Sequence, residues 1–501
     1  MAASPASSAA PTAPAAPRSS SKRKSSVLDQ PSYDLKSASY FPPLSPAQQA
    51  SLDAILQGKS VFLTGAAGSG KSYLLTCAID ALRALHGRGK VAVTATTGVA
   101  ATQLSGTTTH SWSGITNSSL SVAGLVVSIK MDKAKLAKWT ATRVLVVDEV
   151  SMLDGLFLDK LNQVAKRVRR RDEPFGGIQL VLCGDFYQLP PVAAGNSRRI
   201  FAFEGKAWHE CGLITLSLPS SFRQAGDEAF QNILIEARTG KLSDASVLAL
   251  YAVQRKPPAR KPLQPLQVFA RRAHVDAANR RQLNNLNKPI HYFSAKDKLV
   301  KQGAVRNVKM ALNAAMPIPE QVELAAGAQV MLVKNLDTGR GLVNGAVGVA
   351  VSLGTYTKLS EEKEDNENEN GDGDGNEWMI IPSLTSSRGR KVVYKPMSDS
   401  TQTKQGKQGK VGVLVQFNNG LRGLVESVKQ EMEDDVGDTL ATRFQIPLVL
   451  AWATTIHKSQ GQTLPSITVH FQDIFEHGMA YVALSRVKCL DDLNIKGFEK
   501  R

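Results

Sequence analysis

Cysteine is scarce in this 501-residue chain, and its four copies never cluster. Cys77, Cys183, Cys211 and Cys489 make no C-x-x-C pair and no metal-ligand spacing, which excludes a disulfide scaffold or zinc module and points to a reduced compartment. No apolar run reaches the roughly 18 residues of a membrane span, so a soluble protein is expected. Acid is missing from the start of the chain, where the first carboxylate is Asp29. Pro5, Pro11, Pro14 and Pro17 break the Ala/Ser-rich opening, so residues 1–40 read as a basic, low-complexity tail that cannot bury a core. Within it Ser21-Lys22-Arg23-Lys24 fits a nuclear address. A mitochondrial presequence is the alternative, though the prolines oppose its helix, and a plain basic linker is a third reading.

Elsewhere acid is concentrated in one place. Residues 361–377 carry nine carboxylates against one lysine, so a chain of formal charge +17 is +25 outside that stretch. A surplus of this size favours a polyanion, usually nucleic acid, over a generally basic soluble protein. The acidic stretch itself reads as a solvated insertion.

What the sequence does contain is a phosphate loop. The apolar run Val61–Thr64 reads as a buried strand, and Tyr73–Leu85 has helical spacing. Between them, Gly65-Ala66-Ala67-Gly68-Ser69-Gly70-Lys71-Ser72 is G-x-x-x-x-G-K-[ST]. Its glycines let backbone N–H groups surround a polyphosphate at the positive end of the following helix. Lys71 would reach the β/γ-phosphates and Ser72 would ligate Mg²⁺. The alternative, a flexible Gly-rich turn, does not explain the strand–loop–helix order.

Strand and helix then alternate through Val91–Ala95, Val144–Val147, Leu156–Arg169 and Ile178–Cys183, the rhythm of a parallel sheet covered on both faces. Ligands in such sheets sit at the carboxyl ends of the strands. There Asp148 would hold Mg²⁺ and Glu149 would deprotonate the attacking water. Gln188, in Gly184-Asp185-Phe186-Tyr187-Gln188-Leu189-Pro190-Pro191, can hydrogen-bond a γ-phosphate. Arg223 and Arg486, far apart in sequence, could each supply charge to the transition state; alone, each also fits a surface ion pair. A second α/β region starts near Phe222. From Gln329 the texture changes to short strands with a hairpin signal at Asn344-Gly345, and the α/β pattern returns after Phe444. Between Pro191 and Thr215, Arg198, Arg199, Phe201, Phe203, Trp208 and His209 interleave charge with rings. That composition fits base stacking and a local core cluster equally well.

Several segments in order resemble superfamily-1 helicases of the 5′→3′ class, specifically the PIF (petite integration frequency) family. They are the P-loop, Thr96–Ala101, Gly106–His110, Asp148–Met152, Gly184–Pro191, Phe222–Gln224, His457–Thr463 and Tyr481–Arg486. Most specific is Met152-Leu153-Asp154-Gly155, Asp159-Lys160-Leu161 and Pro174–Leu180 taken together. Departures are mild, Val150 and Tyr187 replacing the commoner isoleucine and phenylalanine. The resemblance covers Leu44 to Phe498.

It implies an α/β fold of two RecA-like P-loop domains with a small β-barrel insertion in the second. The domains would be 41–192, then a wedge-like insert at 193–216, the second domain at 217–353 and 443–501, and the barrel at 354–442. Gln48 would read the adenine edge. Thr97, Thr107, Thr109 and His110 would contact DNA phosphates, as would His457, Gln460, Tyr481, Val482, Ala483, Leu484, Ser485 and Lys488. The implied activity is a Mg²⁺-dependent, DNA-stimulated ATP hydrolase that moves 5′→3′ and unwinds duplexes in genome maintenance, in the nucleus or mitochondrion. The implied partners are single-stranded and forked DNA, with RNA–DNA hybrids a further candidate, for a monomer with no membrane attachment. The competing reading is a P-loop ATPase that remodels protein complexes, with DNA incidental.

Overall fold

Six strands carry the first half: β1 (Val61–Gly65), β2 (Val91–Ala95), β3 (Thr107–Thr108), β4 (Val144–Asp148), β5 (Gln179–Cys183) and β6 (Ile214–Leu218). They pair in the order β3-β2-β4-β5-β1-β6, every pair parallel. The strands read as continuous apolar runs because both faces are covered. Val61, Leu63, Val144, Val146, Val181 and Cys183 pack with Leu74, Leu75 and Ala78 of the helix Lys71–His86. The alternate residues Phe62, Leu145, Val147, Leu180 and Leu182 pack on the other face, with Leu158, Leu161 and Val164 of the helix Gly155–Arg169. Each such side chain contributes about 1.5–3 kcal/mol when fully buried.

A computed structural model gives this fold and describes residues 43–115, 120–192, 198–219, 222–224, 226–255, 263–299, 312–313, 318–337, 340–358, 379–381, 392–396, 410–433 and 439–499. The basic cluster at Lys22–Lys24 and the acidic stretch 361–377 lie outside the described residues.

The wedge-like insert expected at 193–216 needs correction. Its last residues enter β6, which pairs with β1 from Val61↔Ile214 to Gly65↔Leu218, so the first sheet reaches residue 218. β6 escaped notice because it is an edge strand with Ile214 42% exposed, and so lacks a buried strand's apolar pattern.

The second half has its own parallel sheet, ordered Ala453–Thr455, Leu266–Phe269, Ile467–His470, Leu493–Lys496. Antiparallel strands occupy the chain between its first strand and the rest. They begin at His291–Ser294, which pairs with Gln321–Leu324 well before the expected boundary at 354, and Asn344-Gly345 turns Gln329–Leu332 back against Val347–Lys358. The larger sheet runs in the order Met379–Ile381, Arg422–Glu426, Lys410–Phe417, Val347–Lys358, Gln329–Leu332, Leu448–Leu450, every neighbour antiparallel except Met379–Ile381, which runs parallel to Arg422–Glu426. Among the described residues no pairing closes it into the expected barrel.

The family-specific stretch proves to be a clamp. Asp154 caps the helix Gly155–Arg169, accepting from the Phe157 N–H at 2.9 Å. At the other end Arg169 donates to the carbonyls of Gly176 (2.7 Å), Trp139 (2.8 Å), Thr140 (3.1 Å) and Thr142 (2.8 Å). One guanidinium thereby satisfies carbonyls at the end of the helix Lys133–Ala141 that would otherwise lack donors.

Candidate nucleotide and nucleic-acid site

The carboxyl ends of β1, β4 and β5 share one edge of the first sheet, and the P-loop, Asp148 and the Gly184–Pro191 loop project from it. Gly70 has φ 82, and a Cβ there would lie 2.5 Å from Gln48 Nε2 and 3.3 Å from the Phe222 ring, so only glycine fits. Gln48 is 3% exposed, and its Oε1 accepts the Ser45 N–H at 2.9 Å in a capping box, which fixes its amide against the loop. The helix that follows starts without a side-chain cap, leaving its first N–H groups toward the loop. Lys71 Nζ lies on the loop rim, donating to the Gly65 and Ala66 carbonyls at 2.8 and 2.9 Å. Ser69 Oγ is buried without a partner, as expected of a group awaiting a ligand.

Asp148 is 7% exposed and its Oδ1 accepts the Glu149 N–H at 2.8 Å. Glu149 has φ 53, a left-handed conformation uncommon outside glycine. Burial, then the neighbouring Asp148 charge, push the Glu149 carboxyl up to about 7, against the pull of Lys71. That is the proton affinity the expected role of Glu149 as general base calls for. Asp148 and the exposed Ser72 hydroxyl both border the cleft. They are hard oxygen donors of the kind Mg²⁺ uses when its remaining ligands are water and phosphate, so this pair fits that ion.

The second half closes the other wall of a cleft of about 970 Å³, bringing Arg223, Gln462, Arg486 and Lys488 opposite the P-loop. Gln460 Nε2 donates to Glu149 Oε2 at 2.9 Å and lies 3.4 Å from Gln188 Oε1, joining Glu149, Gln188 and the second-half loop. Arg223 donates to the Ser485 carbonyl at 2.9 Å. Arg486 is 1% exposed and donates to the Val482, Ser459 and Gln462 carbonyls and to Ser485 Oγ, at 2.7 to 3.3 Å. It is therefore a structural tie as well as a cleft cation.

The expected DNA contacts divide. Thr107, His110, His457 and Lys488 are exposed and Thr97 is half-buried. Thr97 also caps a helix, accepting the Ala100 N–H at 3.3 Å, and the His110 ring stacks on Phe157 at 4.1 Å. Thr109 is corrected: it is wholly buried, its hydroxyl 3.2 Å from both Thr94 Oγ1 and the Ala95 carbonyl. Val482, Ala483, Leu484 and Ser485 are corrected too, being 0–2% exposed as the packed side of the helix Met479–Leu484 and its cap. Gln460 and Tyr481, 7% and 2% exposed, turn toward the nucleotide cleft: the Tyr481 hydroxyl accepts the Ala67 N–H at 2.7 Å. A one-dimensional motif marks a segment as important without saying which side faces solvent.

The aromatic stretch resolves largely as core. Trp208 packs edge-on to Phe62 at 5.0 Å, Phe203 on Phe186 at 4.7 Å, and Phe201 stacks on Phe203 at 5.2 Å. Phe203 remains 39% exposed, Arg198 pairs with Glu204 at 3.1 Å, and Arg199 pairs with Glu476 across the halves. Sequence reasoning missed Asp185 and Arg238. Arg238 Nη2 donates to Asp185 Oδ1 at 2.9 Å beneath the P-loop, and the only signal was a cation at the end of an otherwise apolar helical face.

The model of the PIF1-like helicase family matches residues 43–247, and that of the 2B domain of DNA helicase Pif1 matches 308–353. The chain is 36% identical over 499 residues to the ATP-dependent DNA helicase PIF1 of Candida albicans, covering 91% of this chain and 54% of that protein. It spans 54–63% of the length of seven such curated relatives. The crystal structure of Candida albicans Pif1 helicase superposes with TM-score 0.70 at 35% identity, covering 92% of this chain and 96% of that one. Bacteroides Pif1 helicase, crystallised with ADP-AlF3 and single-stranded DNA, matches with TM-score 0.57 at 26% identity, covering 92% and 94%. With P-loop, paired carboxylates, sensor glutamine and second-half arginines gathered in one cleft, and with relatives matching across both halves, this chain belongs to the PIF1-like helicase family.

Proposed function

We propose that the chain is an ATP-driven motor that moves 5′→3′ along single-stranded DNA and separates duplexes. The observation that carries this reading is the Gln460–Glu149 hydrogen bond. Gln460 ends a short helix, Ile456–Ser459, whose His457 and Lys458 are exposed, so a strand held by that helix would act directly on the residue that activates water. Lys71 and the open helix N-terminus bind the β- and γ-phosphates, and Ser72 and Asp148 hold Mg²⁺, which adds positive charge at the phosphates. Glu149 takes the proton of the attacking water. Gln188 and Arg223 face the terminal phosphate, with Arg486 holding the wall behind them. Turnover that alternately loosens and restores the Gln460 contact shifts the second half along the strand. Backbone-dominated binding suits a chain of formal charge +17, and +25 outside residues 361–377, with no base-reading motif, and salt should weaken it. The DNA-bound Bacteroides relative supports single-stranded DNA as the track. We place the chain in the nucleus through Lys22–Lys24, with the mitochondrion the other candidate.

The test is ATP hydrolysis with and without single-stranded DNA, alongside unwinding of 5′-tailed, 3′-tailed and forked duplexes. DNA should stimulate hydrolysis at least tenfold, and only substrates with a 5′ tail should open. Hydrolysis indifferent to DNA would leave the protein-remodelling reading in its place.

A further inference from the structure

The Tyr481 hydroxyl is the end of a chain of side chains that starts on a neighbouring helix of the second half, packed against the tyrosine's own helix. Arg238, at the end of the helix Glu228–Thr239, forks onto Asp185, with Nη2 2.9 Å from Oδ1 and Nε 3.1 Å from Oδ2. Its guanidinium also lies 4.4 Å from the centre of the Tyr187 ring. Asp185 is wholly buried just after β5, and its Oδ1 also accepts the Tyr187 N–H at 3.2 Å. Tyr481 stands between this carboxylate and the P-loop, its hydroxyl 3.4 Å from Asp185 Oδ2 and 2.7 Å from Ala67 N. The directions are forced, because an amide N–H can only donate and an ionised carboxylate can only accept. The phenol therefore gives its proton to Asp185 and offers a lone pair to Ala67. Burial and the Asp185 charge push the Tyr481 phenol up to about 12, so it keeps that proton at any working pH.

A second observation shows the contact is built in. Gly478, just before the tyrosine's helix, has φ 78, and a Cβ there would lie 2.3 Å from the Gln188 carbonyl and 3.0 Å from that of Tyr187. Only glycine lets that helix approach closely enough to reach the P-loop.

We propose that Arg238 and Asp185 are positioning residues which, through the Tyr481 hydroxyl, set the P-loop amide of Ala67 for nucleotide. This rests on the nucleotide-site assignment above and adds to it a dependence of phosphate binding on the seating of the second half. The relay uses no DNA contact and none of the cleft cations.

The experiment measures Mg-ADP affinity by calorimetry, together with KM and kcat for ATP, on the full chain and three variants. Tyr481→Phe removes the hydroxyl and should weaken ADP and raise KM about fivefold, within the range of one net hydrogen bond. Arg238→Lys keeps the charge and loses the fork, and should weaken ADP about threefold. In the double variant the loss should equal that of Tyr481→Phe alone, since Arg238 acts through the phenol. Multiplying losses would overturn the relay, as would unchanged affinity in Tyr481→Phe or a loss that merely follows a lowered unfolding temperature. If the parent binds ADP yet fails to hydrolyse ATP, the proposed motor falls while the calorimetric comparison still decides the relay.

Discussion

The first sheet takes all six strands from residues 61–218, whereas the second takes one strand from Leu266–Phe269 and three from beyond residue 452, with antiparallel strands between. Both are parallel sheets, yet they deliver polar groups to the cleft differently. The first half places its carboxylates and P-loop at strand tips, where an apolar run ends and a polar residue follows. The second half delivers Gln460, Tyr481 and Arg486 from short helices whose residues are mostly buried. Removing a first-half group should therefore cost chemistry, and removing a second-half group should cost chemistry and folding together.

Lys71→Ala gives the largest effect expected. Among the described residues the ammonium bonds only loop carbonyls, so hydrolysis should fall about a thousandfold with the unfolding midpoint almost unchanged, read by phosphate release and calorimetry. A large drop in midpoint would erase the contrast between the halves.

Glu149→Gln should cut turnover by about a hundredfold while ADP still binds. The parent's rate should rise with pH through about 7, because the base must be ionised, and the variant should lose that dependence. The stability sign follows from the same shift. A carboxyl raised from 4.5 to about 7 in the folded state favours folding when protonated, and that advantage is lost as pH climbs from 4.5 through 7. Above pH 7 the variant should thus melt higher than the parent in metal-free buffer.

Arg486→Ala tests the other half. It removes a buried cation with four neutral acceptors and leaves buried carbonyls without donors, so about 1–3 kcal/mol or more of stability should go with it, seen as a lowered denaturant midpoint. If turnover fell with no change in midpoint, Arg486 would act purely as a cleft charge. Gln460→Leu is the mildest. It should reduce stimulation by single-stranded DNA about fivefold and hydrolysis without DNA by a smaller factor, because its links to Glu149 and Gln188 are both cut.

The same contrast explains how much could be read in advance. β1, β2, β4, β5 and the P-loop helix were legible because two-sided burial makes them unbroken apolar runs bounded by glycine or acid. β6 was not, since an exposed edge strand carries no such run. Thr109, Val482, Ala483 and Leu484 were assigned to DNA because motif resemblance preserves order but not orientation. Asp185 sat within a recognised motif, yet its partner Arg238 lies 53 residues away and only folding reveals the pair. The Pro174–Gly177 stretch, singled out as family-specific, serves as a helix clamp: its Gly176 carbonyl takes one arm of Arg169.

The left-handed backbone at Glu149 carries one more consequence. Holding a side chain with a Cβ at φ 53 costs roughly 1–2 kcal/mol, a cost that glycine escapes. The chain thus keeps its base at a position where losing it would relax the fold. Under selection for stability alone this position would drift toward glycine and the cleft would fall silent. A glutamate held there is what selection for the proposed turnover, and not for stability, would keep.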